Sequence, residues 1–181
     1  MTLSSQLDNE NGAVSEGPQE NQEILTWVKG LQKHRTTAPG TLLPPHAPQC
    51  AGCGPANPAG IGLVVERTED GVRSSHQFDD RQMGAPGLVH GGMVATAFDD
   101  LFGFLLYTID EIAVTRSLNV DYVRPFVIGQ PYAFTAALVE QRGRRLEMRA
   151  QAVDGHGRLA GASSATFVIV DNSHFSRGLK R

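Results

Sequence analysis

What this chain lacks narrows the field first. It has only two cysteines in 181 residues, so no disulfide framework holds it together. No sign of charge dominates: 16 Lys and Arg stand against 19 Asp and Glu, a formal charge of −3. That balance gives no electrostatic case for a nucleic acid or an anionic membrane as partner. The longest apolar run, Phe102 to Tyr107, falls far short of a membrane span. The first 22 residues are polar and acidic, without the basic start and apolar core of a secretory signal. The expectation is a cytoplasmic protein that is neither secreted nor inserted in a membrane. No G-x-S-x-G nucleophile motif, P-loop or dinucleotide fingerprint occurs.

The two cysteines, Cys50 and Cys53, are spaced C-x-x-C-G. That spacing fits a redox pair or half of a zinc site. His46 adds a third donor, but a structural zinc needs four and no second cysteine pair exists. A thioredoxin-type motif would open a helix, whereas Pro55, Pro58 and several glycines follow here. The pair reads as a structured turn with two small apolar side chains, and no metal or other cofactor is expected.

The chain is long enough for one domain with a substantial core. Residues 1–22 have the composition of a disordered tail. Residues 23–47 read as a short helix over Glu23–His34, with Ile24, Trp27 or Val28, and Leu31 at helical spacing, followed by an irregular linker. The domain proper spans 48–171, and 172–181 form a polar basic tail. Strands are expected at Ile61–Arg67 and Val72–Phe78, then a loop over Asp79–Val89 and a helix from Gly91 to Tyr107. Further strands follow at Ala113–Tyr122, Tyr132–Gln141, Arg144–Val153 and Arg158–Val170, with Asp154-Gly155-His156-Gly157 as a hairpin turn. The order β-β-α-β-β-β-β implies an α+β fold in which an antiparallel sheet curls around one buried helix.

The chemistry concentrates in GLVHGGMVATAFDDLFG, residues 87–103. A helix beginning at His90-Gly91-Gly92 offers unpaired N–H groups and the positive end of the helix dipole. Gly91 and Gly92 let a ligand approach the backbone closely. Asp99 and Asp100 interrupt an apolar run, and a carboxylate there is costly to bury for packing alone. Asp99 is the candidate catalytic group. Asp100, about 100° further around the helix, is expected to face a neighbour or solvent. Eight residues of helix separate Gly91 from Asp99 by about 12 Å. One chain cannot bring both to one reacting carbon, so joint action requires a second copy of the chain.

The run PGLVHGGMVATAFDDLFG, followed by SLNVDYVRP, resembles the hotdog-fold acyl-CoA thioesterases of the PaaI-like group. CAGCGPANPAGIGL is similar to the Cys-x-x-Cys-Gly opening of many members. The resemblance covers about residues 48–170. It implies a hotdog fold, an acyl-CoA substrate, hydrolysis to free acid and CoA, and a homodimer or homotetramer. It also implies roles for individual residues. The Gly91 N–H polarises the thioester carbonyl, and Asp99 from the facing subunit acts as general base or nucleophile. Thr115, four before Asn119, helps hold the water, and His90 shapes the loop beside the thioester. Met83 stands where relatives carry Gln, with Gln82 one residue away. Phe98, Phe102 and Leu101 are candidates for the acyl tunnel or for the core. Arg124, Arg142 and Arg144, with Arg145, are candidates for the CoA phosphates or a solvated hairpin tip. The rival readings are a non-catalytic binding protein for acyl-CoA or aromatic ligands, and an acyl-CoA dehydratase or hydratase on the same fold.

Overall fold

The computed structural model describes residues 26, 28–30, 37–109 and 111–171. Both expected tails lie outside these, as does most of the expected helix at 23–34. Its described residues, Thr26 and Val28–Gly30, are helical, with Val28 buried. Among the described residues no helix is long and apolar enough to cross a membrane.

Among the described residues, eight strands accompany one long helix. They are β1 (Glu66–Arg67), β2 (Val72–Gln77), β3 (Met83–Ala85), β4 (Leu88–Val89), β5 (Ala113–Tyr122), β6 (Pro131–Arg142), β7 (Arg145–Asp154) and β8 (Leu159–Ile169). The central helix spans Gly91–Leu105 and tightens into a 3₁₀ turn at Leu106–Thr108. A six-stranded antiparallel sheet runs in the order β1-β2-β6-β7-β8-β5, while β3 and β4 form a separate small hairpin. This is the α+β hotdog arrangement. The Asp79–Val89 stretch, expected as a loop, contains that hairpin and a 3₁₀ turn at Asp80–Gln82.

Period-2 alternation drives the long strands onto the helix. In β6, Tyr132, Phe134 and Ala136 point inward, and in β7 Leu146, Met148, Ala150 and Ala152 do so. The helix meets them with Val94, Ala97, Phe98, Leu101, Phe102 and Leu105. Phe98 packs edge-on to Phe134 at 5.4 Å and Phe102 to Phe167 at 6.3 Å, geometries favoured by the aromatic quadrupole.

The other side of the helix is covered by residues 43–65. Leu43, Ile61, Leu63 and Val65 join the same core, so part of the expected linker belongs to the domain. The strand expected over Ile61–Arg67 shrinks to Glu66–Arg67 because Ile61 and Leu63 spend their N–H groups elsewhere. They donate to the carbonyls of Ala51 and Gly52 in the Cys50–Cys53 loop, both at 2.9 Å. Two glycines permit the close approach of loop and helix. A Cβ on Gly52 would lie 2.2 Å from the Asp100 carboxyl carbon, and one on Gly103 would lie 2.9 Å from the His46 ring.

Asp154 ties the turn between β7 and β8. Its Oδ1 accepts from the N–H groups of His156 and Arg158, and its Oδ2 from the Arg158 guanidinium at 2.8 Å. The Arg158 hydrogen bond holds the Asp154 pKa down at about 2. A depressed folded-state pKa stabilises the fold above the ordinary carboxylate range and loses that effect as pH falls through the folded value. Asp154→Asn is therefore expected to lower the urea midpoint at pH 7, with the difference from wild type shrinking as pH falls from about 4 towards 2.

Candidate active site

The N-terminus of the central helix is capped by its own leading histidine. His90 has φ −62° and ψ 129°, and its Nδ1 accepts from the Gly92 N–H at 2.9 Å. That bond places the ring proton on Nε2 and makes His90 a positioning group. The Met93 and Val94 N–H groups donate to the His90 carbonyl at 2.9 and 3.3 Å. Of the four first-turn donors, the Gly91 N–H alone has no acceptor among the described residues. The Gly91 carbonyl is held by the Tyr122 hydroxyl, which donates to it at 2.8 Å. Leu88, Val89, Gly91, Val94, Tyr122 and Phe126 line a cavity of about 290 Å³ at this end of the helix. The larger hollow, about 580 Å³, lies over β2, β6, β7 and β8, lined by Thr135, Arg149, Gln151 and Ser164, with neither Gly91 nor Asp99 in its wall.

Asp99 lies two turns further along. Its Oδ1 accepts from the Thr115 hydroxyl of β5 at 2.9 Å. Burial pushes the Asp99 carboxyl above the usual range and the Asp100 charge adds to this, while the Thr115 hydrogen bond opposes it. Thr115 and Tyr122 thus hold the two ends of the site from one strand. Seven residues apart, they would fall on opposite faces of a regular strand. The register of β5 against β8 shifts between Thr115 and Ser117. This bulge returns Leu118, Val120 and Tyr122 to the same side as Thr115, facing the helix. Asn119, between Leu118 and Val120, projects to the opposite face; its carbonyl accepts from the Ser163 hydroxyl at 2.7 Å.

Residues 86–161, which include this helix and most of the sheet, match the family model for the thioesterase superfamily. That stretch is similar to the superfamily, and the fold around it is the hotdog fold. It is similar to a protein of Saccharolobus solfataricus provisionally named an esterase, 26% identical over 60% of this chain and 74% of that one. It is also similar to an acyl-coenzyme A thioesterase of Rattus norvegicus, 35% identical over 35% of this chain and 27% of that one. Among solved structures, the Escherichia coli PaaI protein superposes with a TM-score of 0.60 at 13% identity, over 81% of this chain and 98% of that one. A Streptococcus pneumoniae hypothetical thioesterase crystallised with coenzyme A superposes with a TM-score of 0.56 at 19% identity, over 59% and 86%. At these identities the structural likenesses establish the fold.

The hotdog domain distributes the other expected site residues unevenly. Phe98, Phe102 and Leu101 are each 0% exposed and belong to the core of the single chain. Met83 is 42% exposed on β3, opposite Val89 and next to the helix start. Gln82 does not replace the polar helper: it is 1% exposed, its Oε1 accepts from the Asp79 N–H at 2.8 Å, and its Nε2 donates to the Gly60 carbonyl at 3.3 Å. Arg124 follows β5 at the Gly91 end, its guanidinium donating to the Leu159 carbonyl. Arg142 pairs with Glu140 at 2.6 Å and Arg144 donates to the Ile169 carbonyl at 2.9 Å. Leu146, beside that hairpin tip, is level with Phe167, which is level with Thr115, so Arg142 and Arg144 lie towards the Asp99 end.

Asp100 points away from the sheet, into the loop that carries the cysteines. Its Oδ1 lies 3.0 Å from His46 Nδ1, 3.2 Å from Cys50 Sγ and 3.7 Å from Cys53 Sγ. The two cysteines expected as inert turn residues thus meet a fourth donor that sequence spacing did not reveal. Burial alone would lower the His46 pKa, but hydrogen bonds to Asp100, Cys50 and Cys53 outweigh it and push it up to about 12.

The placement of Gln82 yields a specific expectation. Gln82→Ala strands the Asp79 N–H and the Gly60 carbonyl, and should cost about 1–3 kcal/mol in chemical denaturation. A change within experimental error would show that these bonds hold nothing in place.

Proposed function

We propose that this hotdog domain hydrolyses acyl-CoA thioesters to the free acid and CoA, with each site shared between two copies of the chain. The observation that carries the reading is the single unpaired first-turn N–H, that of Gly91, in the wall of the cavity at the helix N-terminus. A donor fixed there, at the positive end of a helix, suits the oxyanion that develops when a thioester carbonyl is attacked. Asp99 is the base: it takes a proton from water, the hydroxide adds to the carbonyl carbon, and collapse of the adduct expels the CoA thiolate, which takes up the proton. Thr115 orients the carboxylate through Oδ1, leaving Oδ2 for the water. The coenzyme A held by a structural neighbour and the acyl-coenzyme A thioesterase among the relatives support a CoA ester as the substrate class.

Geometry supports the second copy. The helix separates Gly91 from Asp99 by about 12 Å, too far for one thioester. Strand β5 is an edge of the sheet, ten residues long and bonded only to β8 among the described residues. A long open edge invites pairing with another strand. Antiparallel pairing of β5 with its own copy, about a two-fold axis near Asn119, brings Thr115 of one chain beside Tyr122 of the other. Asp99 of one chain then faces Gly91 of the next, and Arg142 and Arg144 of the first approach Arg124 of the second near the CoA phosphates.

Thiol release from a panel of short, medium, long and aromatic acyl-CoAs tests the reading. Asp99→Asn is expected to lower kcat by about 10²–10⁴. Gly91→Pro is a cleaner probe of the oxyanion site. Proline fits the first helical position, and His90 already has the extended backbone that a residue before proline requires. It replaces the N–H by a proline ring whose Cβ meets the Tyr122 hydroxyl at an ordinary contact of 3.4 Å, and should cost about 10²–10³ in kcat while the melting temperature is retained. Tight CoA-ester binding with no release from any member by wild type would instead favour a binding protein.

A further inference from the structure

Beside the site described above, on the opposite flank of the central helix, lies a second group of chemically capable side chains. We propose that His46, Cys50, Cys53 and Asp100 hold a structural zinc ion that fastens the cysteine loop to the central helix next to Asp99. The inference does not depend on thioester hydrolysis.

One potential ligand atom from each residue lies within 4.8 Å of every other. The four short separations are 3.0, 3.2, 3.4 and 3.7 Å, the third between Cys53 Sγ and His46 Nδ1. Tetrahedral zinc, with bonds of about 2.0–2.3 Å to nitrogen, oxygen and sulfur, sets its ligands about 3.3–3.8 Å apart. The donor set itself, two thiols, an imidazole and a carboxylate, suits zinc and disfavours magnesium or calcium, which take oxygen shells. All four positions are supplied by protein, the closed arrangement of a structural site.

Hydrogen bonding alone explains the cluster poorly. Three groups converge on Asp100 Oδ1, whereas Oδ2 is buried with no partner among the described residues. A carboxylate satisfied by hydrogen bonds uses both oxygens, and leaving one bare is costly. Convergence on one oxygen at ligand-to-ligand distances is what a shared centre produces. His46 is oriented for the role: Nδ1 faces the cluster, and the ring lies 4.3 Å from Phe104 and 5.7 Å from Tyr107. Gly52 and Gly103 leave the room that brings the loop to Asp100 and His46 to the helix. On binding, the two cysteine thiols and the Nδ1 of the protonated His46 ring release their protons to solvent and Zn²⁺ takes their place, with no redox step.

Metal analysis of the full chain, purified under reducing conditions from zinc-supplemented medium, tests this directly. The expected result is about one zinc per chain. Replacement by Co²⁺ should give the visible bands of a tetrahedral ion together with a near-ultraviolet thiolate charge-transfer band. Cys53→Ser should lose most of the zinc and weaken the thiolate band, and Asp100→Ala should lose zinc while both thiols remain. Asp99→Asn should keep one zinc per chain, separating this site from the catalytic carboxylate. Three results would overturn the proposal: folded wild type without zinc that develops no Co²⁺ bands on titration; a Cys50–Cys53 disulfide in its place; or an Asp100→Ala protein with undiminished zinc and an unchanged Co²⁺ spectrum.

Discussion

One rigid helix carries both groups of the proposed site, Gly91 and Asp99, and its rise of about 1.5 Å per residue keeps them apart. Gly91 at its first position and Asp99 two turns on cannot approach each other, whatever the loops around them do. The rest of the architecture serves this constraint. The sheet wraps the helix so that Phe98, Leu101 and Phe102 are fully enclosed, which removes any freedom to tilt or slide. Strand β5 holds Gly91 through Tyr122 and Asp99 through Thr115, and its bulge places both holders on the same face. With the two ends fixed and separated, the proposed site is completed by a second copy along the open edge of β5.

The two adjacent carboxylates of the helix have separate tasks because the helix turns by about 100° between them. Asp99 faces β5 and a single hydroxyl donor. Asp100 faces the loop at 46–53, where an imidazole and two thiols meet it. On this account the first acts on substrate and the second ties down the segment that covers the helix's far side. The cover is held by its backbone as well: Ile61 and Leu63 bond to the cysteine loop, and Leu43 bonds to Val65 at 2.9 Å.

Much of this was legible in the residues. β5 was readable to the residue, and β6, β7 and β8 to within one or two, because inward and outward residues alternate along most of β6, β7 and β8 and glycine turns separate these three. The helix was legible from its start at His90-Gly91-Gly92, since two glycines precede a wide apolar stripe. The distance between Gly91 and Asp99 followed from helix rise alone. What could not be read depends on contacts between distant segments. Gln82 looked available for substrate, yet both ends of its amide are bonded to Asp79 and Gly60. Phe98 and Phe102 carried no signal separating tunnel from core. The bulge in β5 has no sequence marker, so the shared face of Thr115 and Tyr122 was invisible. His46-x₃-Cys50-x₂-Cys53 was visible as three donors, but the fourth lies about fifty residues away on the helix, and only folding brings it there.

The central claim is that each site takes Asp99 from one chain and Gly91 from another. Subunit complementation tests it most directly. Asp99→Asn and Gly91→Pro proteins are each nearly inactive on this account, whereas a mixed dimer of the two contains one site with both groups intact. Co-refolding equal amounts should restore about a quarter of wild-type thiol release, since half the dimers are mixed and each has one good site of two. Activity of the mixture no higher than the mean of the two separate variants would contradict the shared site and return both groups to a single chain.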